Sequence, residues 1–498
     1  MKRKLLHALK ITTLKAIQVV TSSLIGATIL YIYLMSNRPD LNLWHIVNLD
    51  EEFTVEQQAD VNTFDAYLAL ENTLFSQLKR EVYDKAPTSP RNALNRFDNA
   101  SLADPTRYPK NWNRSFVLRP EQPRAGVLLL HGLSDSPYSL RTLAQELFEQ
   151  GYYVLGLRMP GHGTAPSGLV HASWQDMAAA VKLAANHVSQ NIGSEKPMSI
   201  VGYSMGAAQA VNYSLAALQD QSLPQVNTLA LISPAIGVSS VAALAVWQSR
   251  LSVIPGLEKL AWNSIGPEYD PYKYNSFAVN AGDQMYRLTQ AVDEKLSQLN
   301  NEGRSGEFPR TIALMSIVDA TVSTQAVITN LFDKIDNPDN ELVIYDINRN
   351  ESYMPFIKKD PIDDYRYLLG HGSLKFNLTL YSDQSTDTDR LMAHKWLISD
   401  DESTDEEGTD EEGTLVPTDM AWPSHVYSLS HVALPFSPND AIYGSTPEHS
   451  NGLKIGQLET KGEKGLLNIA ASDMLRLRYN PFYNSMQQRI VEFIDHSD

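Results

Sequence analysis

The sequence predicts an α/β fold: a mostly parallel sheet flanked by helices and preceded by one apolar N-terminal helix. Three observations carry the prediction. From about residue 115 apolar runs of strand length alternate with helical periodicity. The pentapeptide Gly202-Tyr203-Ser204-Met205-Gly206 sits where such a strand gives way to an Ala-rich helix. Residues 16 to 35, "AIQVVTSSLIGATILYIYLM", carry no charge and are long enough to cross a bilayer.

The first fifteen residues are basic, with Lys2, Arg3, Lys4, Lys10 and Lys15 ahead of the apolar run and only Arg38 close behind it. That asymmetry predicts a single-pass anchor over 16–35, with 1–15 in the cytoplasm and the rest beyond the membrane, in the periplasm if the cell is Gram-negative. A cleaved signal peptide is the rival reading, but no small-x-small site follows the run, which continues "SNRPDLNLWH". Residues 36–114 read as a helical linker or extension. Val61, Phe64, Leu68, Phe75 and Leu78 lie at helical spacing between 54 and 85.

Residues 115–498 read as the main domain. "SFVLRP" and "AGVLLLHG" are strands, and "SPYSLRTLAQELFEQG" is a helix ending at Gly151. "YYVLGLRMPGHG" is a strand entering a Gly-rich loop, "SWQDMAAAVKLAANHVSQN" a helix, and "TLALISPA" a strand. Residues 237 to 305 break the alternation with expected short helices, aromatics and prolines, where a cap would cover a site. "RTIALMSIVD", "STQAVITNLFDKI" and "ELVIYD" resume it as strand, helix and strand. A second interruption runs from about 350 to 425, and "NPFYNSMQQRIVEFIDH" closes the chain as an amphipathic helix.

The net charge of −17 argues against nucleic acid as a partner. Nine of the acidic residues crowd into 400–412, and without them the balance is −8. This tandem "TDEEG" run lacks calcium-loop spacing and reads as a solvated loop. The chain has no cysteine, which excludes disulfides, thiolate metal sites and a cysteine nucleophile.

A serine between two glycines at a strand-to-helix turn is the pattern of a nucleophile elbow. The glycines let strand and helix approach closely, and the turn lifts the serine hydroxyl beside the free N–H groups of the new helix. A hydroxyl needs a base, and the base needs an orienting carboxylate. Asp319, at the end of "TIALMSIVD", fits the carboxylate; Asp346, at the end of "VIYD", is the runner-up. His431 in "YSLSHVALP" fits the base, because it has small neighbours, an apolar flank and a late loop position. His394 and His425 lie at the edge of the acidic insertion and read as surface histidines; His371 lies in the insertion with no partner that the sequence reveals. The N–H groups of Leu133 and Met205 can aim at an oxyanion. His131 and His162 read as loop-holding residues.

With those residues placed, "LLHGLSDSP", "RMPGHGT", "GYSMG", "IVDATV" and "SHVALP" resemble, in order, the blocks of the α/β-hydrolase superfamily. The nearest likeness is to membrane-anchored serine esterases and lipases of the monoacylglycerol-lipase and carboxylesterase type. The chain departs from many relatives in Ala207 and Ala208, where a further glycine is usual, and in a long separation between acid and base. The resemblance implies an α/β-hydrolase fold with a helical cap. It also implies hydrolysis of apolar or lipid-like carboxylic esters through Ser204, His431 and Asp319, with Leu133 and Met205 as oxyanion donors and no metal or organic cofactor. A thioesterase or amidase with the same triad, and a non-catalytic tethered scaffold, are the alternatives.

Overall fold

The structure, a computed structural model, describes all residues except 1, 87–93, 100, 194, 238–251, 253, 255, 320, 366–373, 399–412, 425, 447–476 and 497–498. The acidic run at 400–412 and the histidines at 371 and 425 lie outside the described residues.

The chain opens with α1 (Lys2–Ser36), whose stretch Thr13–Leu34 has a mean hydropathy of 1.7 and is not buried against the rest of the protein. A short helix α2 (Leu43–Ile46) and the longer α3 (Phe64–Leu78) follow. Thr63 caps α3 by accepting the Ala66 N–H, and Phe64, Tyr67, Leu74, Phe75 and Leu78 form its buried face.

The core then alternates. It runs β1 (Phe116–Leu118), β2 (Gly126–Leu130), α4 (Arg141–Glu149), β3 (Tyr153–Leu157), α5 (Gly168–His171), α6 (Trp174–Ile192), β4 (Met198–Tyr203), α7 (Met205–Gln219) and β5 (Thr228–Ile232). A small hairpin, β6 (Trp262–Ser264) with β7 (Phe277–Ala278), leads into α8 (Val279–Asn301). The sheet resumes with β8 (Arg310–Ser316), α9 (Thr324–Asn330), β9 (Glu341–Tyr345), β10 (Asn377–Asp383), β11 (Arg390–Trp396) and β12 (Thr414–Ala421). The chain finishes with α10 (Tyr483–Asp495).

Ten strands form one sheet in the order β1-β3-β2-β4-β5-β8-β9-β10-β11-β12. The seven from β3 to β10 are parallel; β1 and β11 run antiparallel to them at the two ends, and β12 pairs antiparallel with β11. Every residue of β2, β3, β4 and β5 is buried, which is why these strands read as unbroken apolar runs. Alternate side chains divide between two faces. Leu128, Leu130, Ile200 and Leu229 pack under α6, α7, α8 and α9. Val127, Leu129, Val201 and Ala230 pack under α4 and α10. This is the α/β-hydrolase fold.

Two regions differ from the sequence expectation. The stretch 237–305 ends not in short helices but in the 23-residue α8, whose Met285, Leu288, Val292, Leu296 and Leu299 are buried. The stretch 350–425 is not wholly an interruption, because β10 to β12 extend the sheet. Arg38, just past α1, is tied to the hairpin region: its guanidinium donates to the carbonyls of Trp262 (2.6 Å) and Asn263, while the Lys259 ammonium donates back to the Arg38 carbonyl at 2.9 Å. Leu41 joins the same apolar cluster as Trp262, Leu169 and Leu133.

Candidate active site

In an open parallel sheet the crevice lies at the carboxyl ends of the strands, where the chain order reverses. Here β2 leads to β3 on one side and β4 lies on the other, so the reversal falls between β2 and β4. Residues 131–134 leave β2 at that point, and Ser204 leaves β4.

Ser204 has φ 54° and ψ −113°, a conformation side chains rarely take. The surroundings impose it. A Cβ on Gly202 would lie 2.4 Å from Ala207 Cα, and one on Gly206 would lie 2.0 Å from the Leu130 carbonyl oxygen. Both glycines are therefore required for α7 to turn back against β4 and β2. The Ser204 N–H donates to Ile232 O at 2.9 Å, and its carbonyl accepts from Ala207 and Ala235, which locks the turn. Ala207 and Ala208 are both fully buried, so a small side chain fits at those two positions.

His431 starts a short helical turn after Ser430. Its Nε2 lies 3.1 Å from Ser204 Oγ, and its Nδ1 lies 2.7 Å from Asp319 Oδ2. Asp319 follows β8, and its other oxygen accepts the N–H groups of Thr321 (2.9 Å) and Val322 (3.0 Å). One carboxylate oxygen is thus spent on its own turn and the second is left for the imidazole. The histidine loop is held from β9: Asn348 donates to the carbonyls of Tyr427 and Val426. All three side chains are buried, with Ser204 8% exposed.

Asp346, the runner-up acid, lies elsewhere. It pairs with Arg349 and accepts from Ser382 Oγ at 2.6 Å. His394 sits on β11, toward the far edge of the sheet. The structure brings Ser204, His431 and Asp319 together and leaves these two apart.

Leu133 and Met205 both line one narrow apolar pocket, and among the described residues their N–H groups donate to no other group. The Met205 amide heads α7, where the helix offers its positive end. Leu169, Ala172, Trp174 and Met177, with Ala281, Met285 and Leu288 of α8, complete its lining.

The two remaining histidines support loops. His131 Nδ1 lies 2.8 Å from Gly132 O, and its Nε2 accepts the Met159 N–H at 3.1 Å. Those partners assign the proton to Nδ1. His162 Nδ1 lies 3.0 Å from Pro160 O. Burial drives the His162 imidazole down to about 4, and burial with the neighbouring His162 holds His131 well below its ordinary range. Both are neutral near pH 7 and act as hydrogen-bonding spacers. Among the described residues no cluster of histidine and carboxylate suits a metal ion.

Sequence reasoning missed the pocket wall from α8. Its signal was present, since Met285, Leu288, Val292, Leu296 and Leu299 follow helical spacing. It also missed Glu52 and Glu71 of the N-terminal extension, whose carboxylates enclose Arg158 beside the site. No local pattern marks them.

Parts of the chain are similar to known proteins. Residues 121–348 match the family described as serine aminopeptidase, S33. A curated relative, the thermostable monoacylglycerol lipase of Bacillus sp. (strain H-257), is 28% identical over 174 residues, 35% of this chain. The chain spans 65% of that relative's length. Among solved structures, the monoacylglycerol lipase of Paleococcus ferrophilus is similar at 17% identity and TM-score 0.35, over 47% of this chain and 88% of that one. A soluble variant of monoglyceride lipase from Saccharomyces cerevisiae is similar at 16% identity and TM-score 0.35, over 47% and 82%.

Proposed function

We propose that this chain is an α/β-hydrolase of the lipase and esterase type, a serine hydrolase cleaving carboxylic esters with apolar acyl groups. The observation that carries the proposal is the relay Ser204 Oγ, His431 Nε2 and Nδ1, Asp319 Oδ2, at 3.1 and 2.7 Å, on a strained elbow.

The chemistry follows from the geometry. His431 takes the Ser204 proton as Oγ attacks the ester carbonyl. The Leu133 and Met205 N–H groups, which have no other partner among the described residues, receive the oxyanion. His431 then protonates the departing alcohol, leaving an acyl group on Ser204. Water, deprotonated by the same imidazole, releases the acid. Asp319 keeps the His431 proton on Nδ1, so Nε2 can accept. The pocket beside Leu133 and Met205 has the polarity of an acyl chain and supports an apolar or lipid-like ester over a charged one.

The match to a family described as an aminopeptidase favours one second reading, an amidase with the same triad. Purified full-length protein in detergent, assayed on esters, thioesters and anilides of the same acyl group, separates them. Ester hydrolysis at least 100-fold faster than anilide hydrolysis supports the esterase, and the reverse order the amidase. A protein that a fluorophosphonate probe does not label is a scaffold.

We also propose that α1 anchors the protein, with residues 1–15 in the cytoplasm and the hydrolase domain on the far side. Its exposed 22-residue apolar stretch and its basic N-terminal flank support this. Protease outside intact spheroplasts should digest the domain and spare an N-terminal tag. A domain protected until the membrane is permeabilised overturns the topology, and a soluble product starting near residue 36 makes the segment a signal peptide.

A further inference from the structure

The N-terminal extension reaches the loop that supports the oxyanion site. Arg158 follows β3 and is 1% exposed. Its Nη2 and Nη1 donate to the two carboxylate oxygens of Glu52 at 2.8 and 2.9 Å, and its Nε donates to Glu71 Oε2 at 3.0 Å. Glu52 also accepts the Gly161 N–H at 2.8 Å, and Tyr67 of α3 donates its hydroxyl to the Arg158 carbonyl at 2.6 Å. Arg158 Nη1 in turn donates to His162 O at 3.1 Å. The turn 158–162 is therefore clasped from three directions by residues 52, 67 and 71. From that turn the Met159 N–H donates to His131 Nε2, and His131 Nδ1 donates to Gly132 O. The next residue is Leu133, whose amide faces the proposed oxyanion.

We infer that Glu52 and Glu71 are positioning residues for the Leu133 amide, acting through Arg158, the 159–162 turn and His131. The inference rests on the serine-hydrolase proposal and deepens it. Glu52, Tyr67 and Glu71 lie outside the matched residues 121–348, so the working unit is larger than the matched region. The buried cation makes the arrangement unforgiving. A guanidinium this deep needs its carboxylates, and a neutral replacement leaves donors facing donors.

The test uses the full-length protein with active sites counted by fluorophosphonate titration. Glu52→Gln keeps the volume and removes the charge. Loss of one oxyanion donor costs roughly 10²–10³ in kcat, so displacement of one should cost about tenfold. KM should stay within about twofold, because the ground-state carbonyl leans little on that donor. Affinity for a trifluoromethyl ketone, which forms an oxyanion on Ser204, should fall by the same factor as kcat. Glu71→Gln should behave alike. Glu81→Gln, which breaks an exposed pair with Lys85 on the same extension, should change none of these. Should Glu52→Gln not fold, Glu52→Asp keeps the charge, shortens the reach and is read the same way. Wild-type kcat per titrated site, or a loss of kcat with ketone affinity unchanged, overturns the inference while leaving the hydrolase proposal standing. Ester hydrolysis that survives Ser204→Ala overturns both.

Discussion

The Tyr203 hydroxyl donates to the His431 carbonyl at 3.3 Å, and the two rings lie 5.4 Å apart. The residue before the elbow serine thus holds the loop that carries the imidazole. Both contacts are buried, so the spacing between Ser204 and His431 is fixed from the strand side as well as the loop side. Tyr203→Phe removes the hydrogen bond and keeps the ring. It should cost about 1 kcal/mol, or roughly fivefold in kcat, with KM unchanged. Steady-state kinetics of the variant on one ester check this.

Asp319→Asn should lower kcat by roughly 10⁴, because an amide cannot hold His431 with its proton on Nδ1. Asp346→Asn should leave kcat within about tenfold and lower the melting temperature instead, since Asp346 pairs with Arg349 and Ser382 rather than with the imidazole. Reversed effects would move the acid to Asp346. Ser204→Ala should abolish turnover with the melting temperature retained.

Ala281→Phe should shorten the accepted acyl chain. Ala281 is 3% exposed and lines the same pocket as Leu133. A phenyl group there displaces the far end of an acyl chain. At about 0.8 kcal/mol for each buried methylene, excluding two or three of them costs about 2 kcal/mol, some thirtyfold in kcat/KM. An octanoate ester should lose by that factor relative to an acetate ester of the same alcohol. Equal losses on both would place the acyl chain elsewhere.

Stability on the acid side should depend on His162. Burial holds its imidazole down to about 4 from an ordinary 6.5, so the folded protein takes up fewer protons there than the unfolded chain. The contribution is whole above 6.5 and is lost as pH falls through about 4. Urea unfolding of His162→Gln and wild type should therefore show a gap that narrows by about 2 kcal/mol between pH 7.5 and pH 5. Glu268 works in the opposite sense: burial raises its carboxyl to about 7, so its contribution is whole below 4.5 and lost as pH rises through about 7. Glu268→Gln should remove a fall in stability between pH 4.5 and about 7, the window in which His162 adds a rise, and so steepen the net rise there. A gap for His162→Gln that does not change with pH would count against the neutral histidine.

The elbow was legible because its cause is local. Two glycines and a serine at a strand end dictate the turn, and the packing against Leu130 and Ala207 involves only neighbouring elements. Strand β8 and Asp319 just beyond it were legible for the same reason, as an apolar run followed by a carboxylate. The outer strands were not. In β12 no residue is fully buried, so the apolar signal that marks β2 to β5 is missing, and the polar text between β11 and β12 hides the hairpin. The Arg158 contacts were out of reach altogether. They join residues 87 and 106 positions apart, and a glutamate on an amphipathic extension reads as a solvated charge until the fold places an arginine against it.

His431 stands 227 residues after Ser204 and 112 after Asp319. A ribosome delivers residues 131–134, Ser204 and Asp319 long before His431. At about 5–20 residues per second, the interval between acid and base is roughly 6–20 s of synthesis. During it the growing chain holds an elbow serine with no group to take its proton. With the proposed triad, a chain with this order of parts emerges inert, and its reactivity begins only after His431 has left the ribosome.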